Sequence, residues 1–232
     1  QMITRYRATT SGGPNFAYDL CVQKTTPEQR AGLDLSSWTL AFNGAEPIRA
    51  ATLQSFARCF APFGLRIEAL YPCYGMAEAT LLITGAEKNS PPKLQPVLAS
   101  LLEQHQVRLT SPDVDDVRML VGCGQISAEV DVRIVDPERE VELDAGKVGE
   151  LWVSGPSVTQ GYWRQPEATE ATFQAILSAT GEGPFLRTGD LGFIVDNQLY
   201  ITGRRKDLII IRGRNHYPQD IEATVAGSHA AL

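Results

Sequence analysis

"WTLAFNGAEPIRAATLQSFARCFAPFGLRIEALYPCYGMAEAT", Trp38 to Thr80, decides the fold. Trp38 to Phe42 form an apolar run of strand length, and Asn43-Gly44 closes it with a tight turn. Pro47 suits the opening turn of a helix running to Phe60, in which Ile48, Leu53, Phe56 and Phe60 fall near one face; "APFG" ends it. In "LRIEALY" Leu65, Ile67, Ala69 and Tyr71 alternate with other residues, which predicts a second strand running into the loop "YGMAEAT", Tyr74 to Thr80. Strand, loop, helix, strand, loop is the order of an α/β fold, a sheet with helical crossovers.

Working outward, "TTPEQRAGLDL" carries a helix start: Thr26 can cap, Pro27 suits the first turn, and Gln29 stands where a capping box needs it. From Val121 the texture changes to short alternating runs, "AEVDVRIVDP", "KVGELWVSGP" and "GFIVDNQLYITG", punctuated by Gly, Pro and Asp-Asn. These predict a compact antiparallel, β-barrel-like subdomain. Three units are expected: an α/β subdomain over 1–120, a β-rich one over 121–203, and a hinge with the start of a further domain over 204–232. Within the first, Glu87 to Asp116 is rich in Pro, Gln and Ser. The amphipathic "VLASLLEQHQV" inside it predicts an inserted surface helix. After Gly203, "RRKDLIIIRGR" leads to "YPQDIEATV", a helix opened by Pro218.

Composition narrows the function classes. With 43% hydrophobic and 21% charged residues the chain is globular, and a net charge of -6 argues against generic nucleic-acid binding. Four scattered cysteines without a C-x-x-C pair, and three histidines, disfavour a zinc site and fit a reducing, cytoplasmic setting. No apolar run approaches the roughly 18 residues of a membrane span, and no signal peptide is recognisable. Starting on Gln1 and ending on "GSHAAL", the chain reads as a piece of something longer.

Four stretches carry possible chemistry, each with a plain alternative. In "YGMAEAT" Glu78 can be a charge favourable to a helix start, or an oxygen ligand for Mg²⁺ beside a glycine that admits phosphate and a tyrosine that offers a flat face to a base. In "TGDLG" Asp190 is a turn former or a chelator of two ribose hydroxyls. "NGAEP" is a simple turn or bare backbone flanking an adenine edge. The cations of "GRRKDLIIIRGR" belong to a solvated edge strand, a nucleic-acid patch, or phosphate and ribose contacts. "TTSGG", Thr9 to Gly13, lacks the lysine a phosphate loop requires, and no G-x-S-x-G elbow occurs.

In their order, "NGAEP", "YGMAE", "TGDLG" and "GRRKDLIIIRGRNHYPQDIE" resemble the adenylate-forming enzymes. With "SGGPNFAYDLC", "YGMAEATL" and "GPSVTQGYW" the resemblance extends along nearly the whole chain and is nearest to the fatty acyl-AMP ligases. It implies ATP and Mg²⁺ as cofactors, with Gly44, Ala45 and Glu46 bordering the adenine and Tyr74 stacking on it. Gly75, Met76 and Ala77 would complete that wall, although no separate role follows for the Met76 side chain. Glu78 would bind the metal, Asp190 and Arg204 the ribose, and Lys206 would be the hinge of a small C-terminal domain. The reaction implied joins a fatty acid to AMP, releases pyrophosphate and passes the acyl group to the phosphopantetheine arm of an acyl carrier protein. Ala77 replaces the threonine most relatives place before the glutamate, as in the fatty acyl-AMP ligases. Glu87 to Asp116 lies where those ligases carry an insertion that disfavours CoA. Phe16 and Tyr18 are acyl-pocket candidates. A phosphate loop upstream of Gln1 and a catalytic lysine downstream of Leu232 are expected, so this polypeptide alone is expected to catalyse no adenylation. A CoA-forming synthetase and a non-catalytic module of the same fold are the rival readings.

Overall fold

In the computed structural model the described residues are 1–228, so the last four of the expected 204–232 unit lie outside them. The strands are β1 (Thr10–Gly13), β2 (Leu40–Asn43), β3 (Leu70–Tyr74), β4 (Thr84–Gly85), β5 (Leu94–Leu98), β6 (Val117–Gln125), β7 (Asp131–Asp136), β8 (Val141–Glu142), β9 (Gly149–Ser154), β10 (Leu186–Val195), β11 (Gln198–Arg204), β12 (Ile209–Ile211) and β13 (Arg214–His216). The helices are α1 (Met2–Tyr6), α2 (Asn15–Lys24), α3 (Pro27–Arg30), α4 (Ala50–Phe60), α5 (Ala99–Leu102), α6 (Pro166–Phe173) and α7 (Pro218–Ser228). No described helix is long and apolar enough to cross a membrane.

β1, β2 and β3 are parallel, with α2 and α4 as the crossovers. Beyond β3 every pairing is antiparallel, along the path β4-β6-β11-β10-β9-β7-β8, with β5 on the side of β6. The α/β order and the antiparallel second half are as the sequence reads. The ladder simply runs on from one part to the other, and among the described residues it does not close into a barrel. Two cores flank it. Tyr18, Trp38, Phe56 and Phe60 pack between the crossover helices and the parallel strands, with Tyr18 edge-on to Phe56 at 4.7 Å. Leu151, Val153, Leu186 and Leu199 fill the antiparallel part.

The capping box forms as read: Thr26 accepts from the Gln29 amide at 3.3 Å, and Gln29 returns the bond to the Thr26 amide at 2.9 Å. Asp196 and Asn197, both with φ near the left-handed region at 50° and 58°, make the two-residue turn of the β10–β11 hairpin. Other boundaries shift. The strand expected over Trp38 to Phe42 begins at Leu40, because the Trp38 indole turns into the core and its N–H donates to the Leu40 carbonyl at 3.1 Å. "LRIEALY" spends Ile67–Ala69 on a single tight turn. Its strand starts at Leu70, where β2 can pair with it.

The expected surface helix over "VLASLLEQHQV" is a correction. Residues 94–98 are instead a strand paired one for one with 117–121, and helix is confined to Ala99–Leu102. Pro96 holds the residue before it extended, and His105 ends the turn with a left-handed φ of 57°. Val97 and Leu102 are fully buried, so the segment is part of the core rather than laid upon it.

Candidate nucleotide-binding site

A cavity of about 580 Å³ opens where the loops after β2 and β3, the middle of β10 and the end of β11 meet the start of α7. Ala45, Glu46, Tyr74, Gly75, Asp190 and Arg204 all line it. Six of the sequence-derived positions, drawn from four separate motifs, thus share one wall. Gly44 is not in the lining: a Cβ there would stand 3.0 Å from both the carbonyl oxygen and Sγ of Cys73, a tight contact, so glycine lets the loop lie close on β3.

Asp190 is the chemical centre of this wall. It sits in an irregularity of β10, where pairing with β9 breaks between Arg187 and Leu191. The Tyr74 hydroxyl donates to its Oδ2 at 2.8 Å, and Arg204 Nε donates to its Oδ1 at 3.1 Å. Burial pushes the Asp190 carboxyl above its ordinary value, against the pull of the Tyr74 hydroxyl and the Arg204 guanidinium. Burial and the neighbouring Asp190 carboxylate hold the Tyr74 phenol well above its usual range, so it stays a neutral donor. A carboxylate fixed by two donors, at the mouth of a cavity with bare backbone at 44–46, can accept from a pair of vicinal hydroxyls.

The loop after β3 doubles back. Leu81 and Thr80 take left-handed φ of 83° and 53°, and the Leu81 carbonyl lies over Gly75 so closely that a Cβ would meet it at 1.5 Å. The tight turn Ala77–Ala79 that this fold-back produces carries Glu78. Glu78 faces the loop 155–163 rather than the cavity wall. Its Oε1 accepts the Tyr162 hydroxyl at 2.7 Å, and its carbonyl accepts the Thr159 amide at 2.8 Å. Ala77 is exposed, and Met76 packs against the antiparallel core. Lys206 is exposed in the turn Arg205–Asp207 that joins the main sheet to the β12–β13 hairpin; its neighbour Asp207 reaches the cavity.

Phe16 is exposed, whereas Tyr18 is buried and donates to the Phe42 carbonyl at 2.7 Å. Tyr18 lines a separate apolar cavity of about 280 Å³ with Gly12, Trp38 and Phe56. Sequence reasoning passed over Tyr162, whose partner lies 84 positions away, and also Gln219 and Glu222 of α7, which close the cavity from beyond β13. It also passed over Glu150, although a lone carboxylate inside the apolar run of β9 was a visible signal.

Comparison with known proteins shows the family to which the chain belongs. The family described as AMP-binding enzyme matches residues 1–163. The chain is 52% identical, over all of its length and 40% of the relative's, to a medium-chain-fatty-acid–[acyl-carrier-protein] ligase of Moorena producens. It is 46% identical, over 97% of its length and 37% of the relative's, to a 4-hydroxyphenylalkanoate adenylyltransferase of Mycobacterium marinum. Among solved structures, the fatty acyl-adenylate ligase of L. pneumophila in complex with acyl adenylate and pyrophosphate matches with a TM-score of 0.84 and 48% identity, covering 98% of this chain and 39% of that one. The chain therefore spans about 40% of the length of such relatives. With its fold, its motifs and this match in agreement, the chain belongs to the AMP-binding enzyme family, and within it resembles the fatty acyl-AMP ligases.

Proposed function

We propose that the full-length protein carrying this chain activates a fatty acid with ATP and passes the acyl group to the phosphopantetheine arm of an acyl carrier protein. The carboxylate oxygen attacks the α-phosphorus, the bond to the bridging oxygen breaks, and pyrophosphate leaves. The arm's thiol then attacks the acyl carbonyl, forming a thioester and releasing AMP. The observation that carries this reading is the Tyr74–Asp190–Arg204 cluster on the wall of the cavity. In it Asp190 holds the ribose, while the backbone of Gly44, Ala45 and Glu46 borders the base and Gly75 the phosphates. The names of the relatives, which include carrier-protein ligases and an adenylate complex, favour the same chemistry.

Glu78 is the residue that would hold a Mg²⁺ ion jointly with nucleotide phosphates, its Oε1 exchanging the Tyr162 hydroxyl for the ion. Among the described residues no cluster of three or more metal-ligating side chains exists, and Mg²⁺ needs only one or two carboxylates when phosphates supply the rest. When bound, the ion draws charge from the phosphates. The side chain's own task is to present a carboxylate from a turn anchored by Tyr162 and Thr159. Lys206 serves as the hinge, standing where the chain leaves the main sheet.

Carrier rather than CoA is favoured by Ala77 and by how segment 94–120 grips the chain beyond the hinge. The Glu103 carbonyl accepts Asn215 Nδ2 at 2.8 Å, and Arg118 pairs with Asp220 at 3.0 Å. A gripped segment restricts how a small domain rearranges for the second step, which bears on whether CoA or the carrier's arm reaches the acyl-adenylate. Hydroxamate trapping of the acyl-adenylate in the full-length protein, followed by CoA or phosphopantetheinylated carrier protein, tests the proposal. Thioester on the carrier alone is expected. Thioester on CoA alone would make the protein a CoA-forming synthetase, and undiminished activity after Glu78→Ala would remove the metal role.

A further inference from the structure

The geometry points to Glu150 as a positioning residue for Asp190. Resting on the reading of Asp190 as the ribose acceptor, the inference adds the group that keeps that acceptor aimed.

β9 and β10 fall out of step around the site. Arg187 pairs with Trp152 and Leu191 with Glu150, so residues 188–190 of β10 stand opposite Leu151 alone. An excursion of this kind removes backbone amides from the ladder, and they need other partners. The Gly189 amide donates to Glu150 Oε1 at 3.1 Å. The Asp190 amide donates to Thr188 Oγ1 at 3.1 Å, and that hydroxyl donates in turn to the Leu151 carbonyl at 2.8 Å. Gly189 makes the bend with a φ of 71° that a side chain would strain. Two side-chain acceptors therefore hold the excursion that turns Asp190 toward the cavity.

Glu150 is itself held. It is 2% exposed, and its Oε2 accepts Arg187 Nη2 at 2.9 Å and the Trp152 indole N–H at 3.1 Å. Arg187 Nη2 also donates to the Pro137 carbonyl at 3.2 Å, and the guanidinium lies 5.2 Å from the centre of the Trp152 ring. Burying an acid in an apolar strand carries a desolvation cost that a leucine would not. A packing role does not need a carboxylate there; accepting on both oxygens at once, from the Gly189 amide on one and from Arg187 and Trp152 on the other, does. The side chain does not line the cavity, so its effect on binding passes through Asp190.

The test compares ATP with 2′,3′-dideoxy-ATP in fatty-acid-dependent adenylation by the full-length protein, alongside thermal melting and the KM for the fatty acid. Wild-type protein is expected to prefer ATP. Glu150→Gln puts an amide where the carboxylate bridges Arg187 and the Gly189 amide. It is expected to raise the KM for ATP about tenfold, the order of one charge-assisted hydrogen bond, with dideoxy-ATP and the fatty acid little changed. A preference equal to wild type in the variant, whatever its melting temperature, overturns the positioning role and leaves the ribose reading intact. If Glu150→Gln does not fold, Arg187→Lys loosens the grip on Glu150 while keeping the charge; a lowered preference supports the role and an unchanged one overturns it. Wild-type protein indifferent to the two hydroxyls overturns the ribose reading, and the positioning role with it.

Discussion

At the scale of the residue, the site turns on a carboxylate that burial opposes and two donors sustain. Tyr74→Phe removes one donor and leaves Asp190 Oδ2 short of a partner. Stability should fall by about 1–3 kcal/mol, the cost of an unsatisfied buried acceptor, seen as a lower denaturation midpoint, and nucleotide affinity should fall with it. The raised carboxyl of Asp190 makes a pH prediction with a definite sign. The folded state keeps this proton to higher pH than the unfolded state, so stability declines as pH rises from the ordinary value of 3.8 through the raised one, then levels off. Asp190→Asn should flatten that part of the stability profile in denaturant titrations. Tyr74, Asp190 and Arg204 were legible as types in motifs. Their contact was not, because Tyr74 and Asp190 lie 116 positions apart and no local pattern records a bond across that span.

At the scale of the element, loops do the positioning and strands supply the frame. Gly75→Ala would force a methyl into the Leu81 carbonyl and push the turn bearing Glu78 out of place. A loss of about 3 kcal/mol is expected, the upper range for overpacking, read by denaturation. Asn197→Ala in the β10–β11 turn, where φ is 58°, should cost about 1 kcal/mol, since only glycine, asparagine and aspartate enter that region cheaply. Asn197→Gly should be close to neutral. Capping box, hairpin turn and the Pro218 helix start were legible because each is a local device of a few residues. The stretch around Val97 and Leu102 was not, because its apolar spacing suits a helix while the partner that makes it a strand, β6, comes later in the chain.

At the scale of the molecule, one ladder joins a parallel half to an antiparallel half, and the cavity opens where the two meet under α7. The order of motifs foretold the fold, and six of the positions it singled out line one cavity. The long-range pairs that aim them, Glu150 with Gly189 and Tyr162 with Glu78, became visible only in three dimensions. If the grip of segment 94–120 on the chain beyond the hinge governs acceptor choice, Arg118→Ala combined with Asn215→Ala should raise thioester formation on CoA relative to the carrier, measured as the ratio of the two products.

Fatty-acid activation at a nucleotide site built on Asp190 is tested by ATP–pyrophosphate exchange in the full-length protein, wild type against Asp190→Ala. Exchange that requires a fatty acid and falls by about a hundredfold in the variant is expected, the order of two lost charge-assisted hydrogen bonds. Exchange independent of fatty acid, or undiminished by Asp190→Ala, would contradict it.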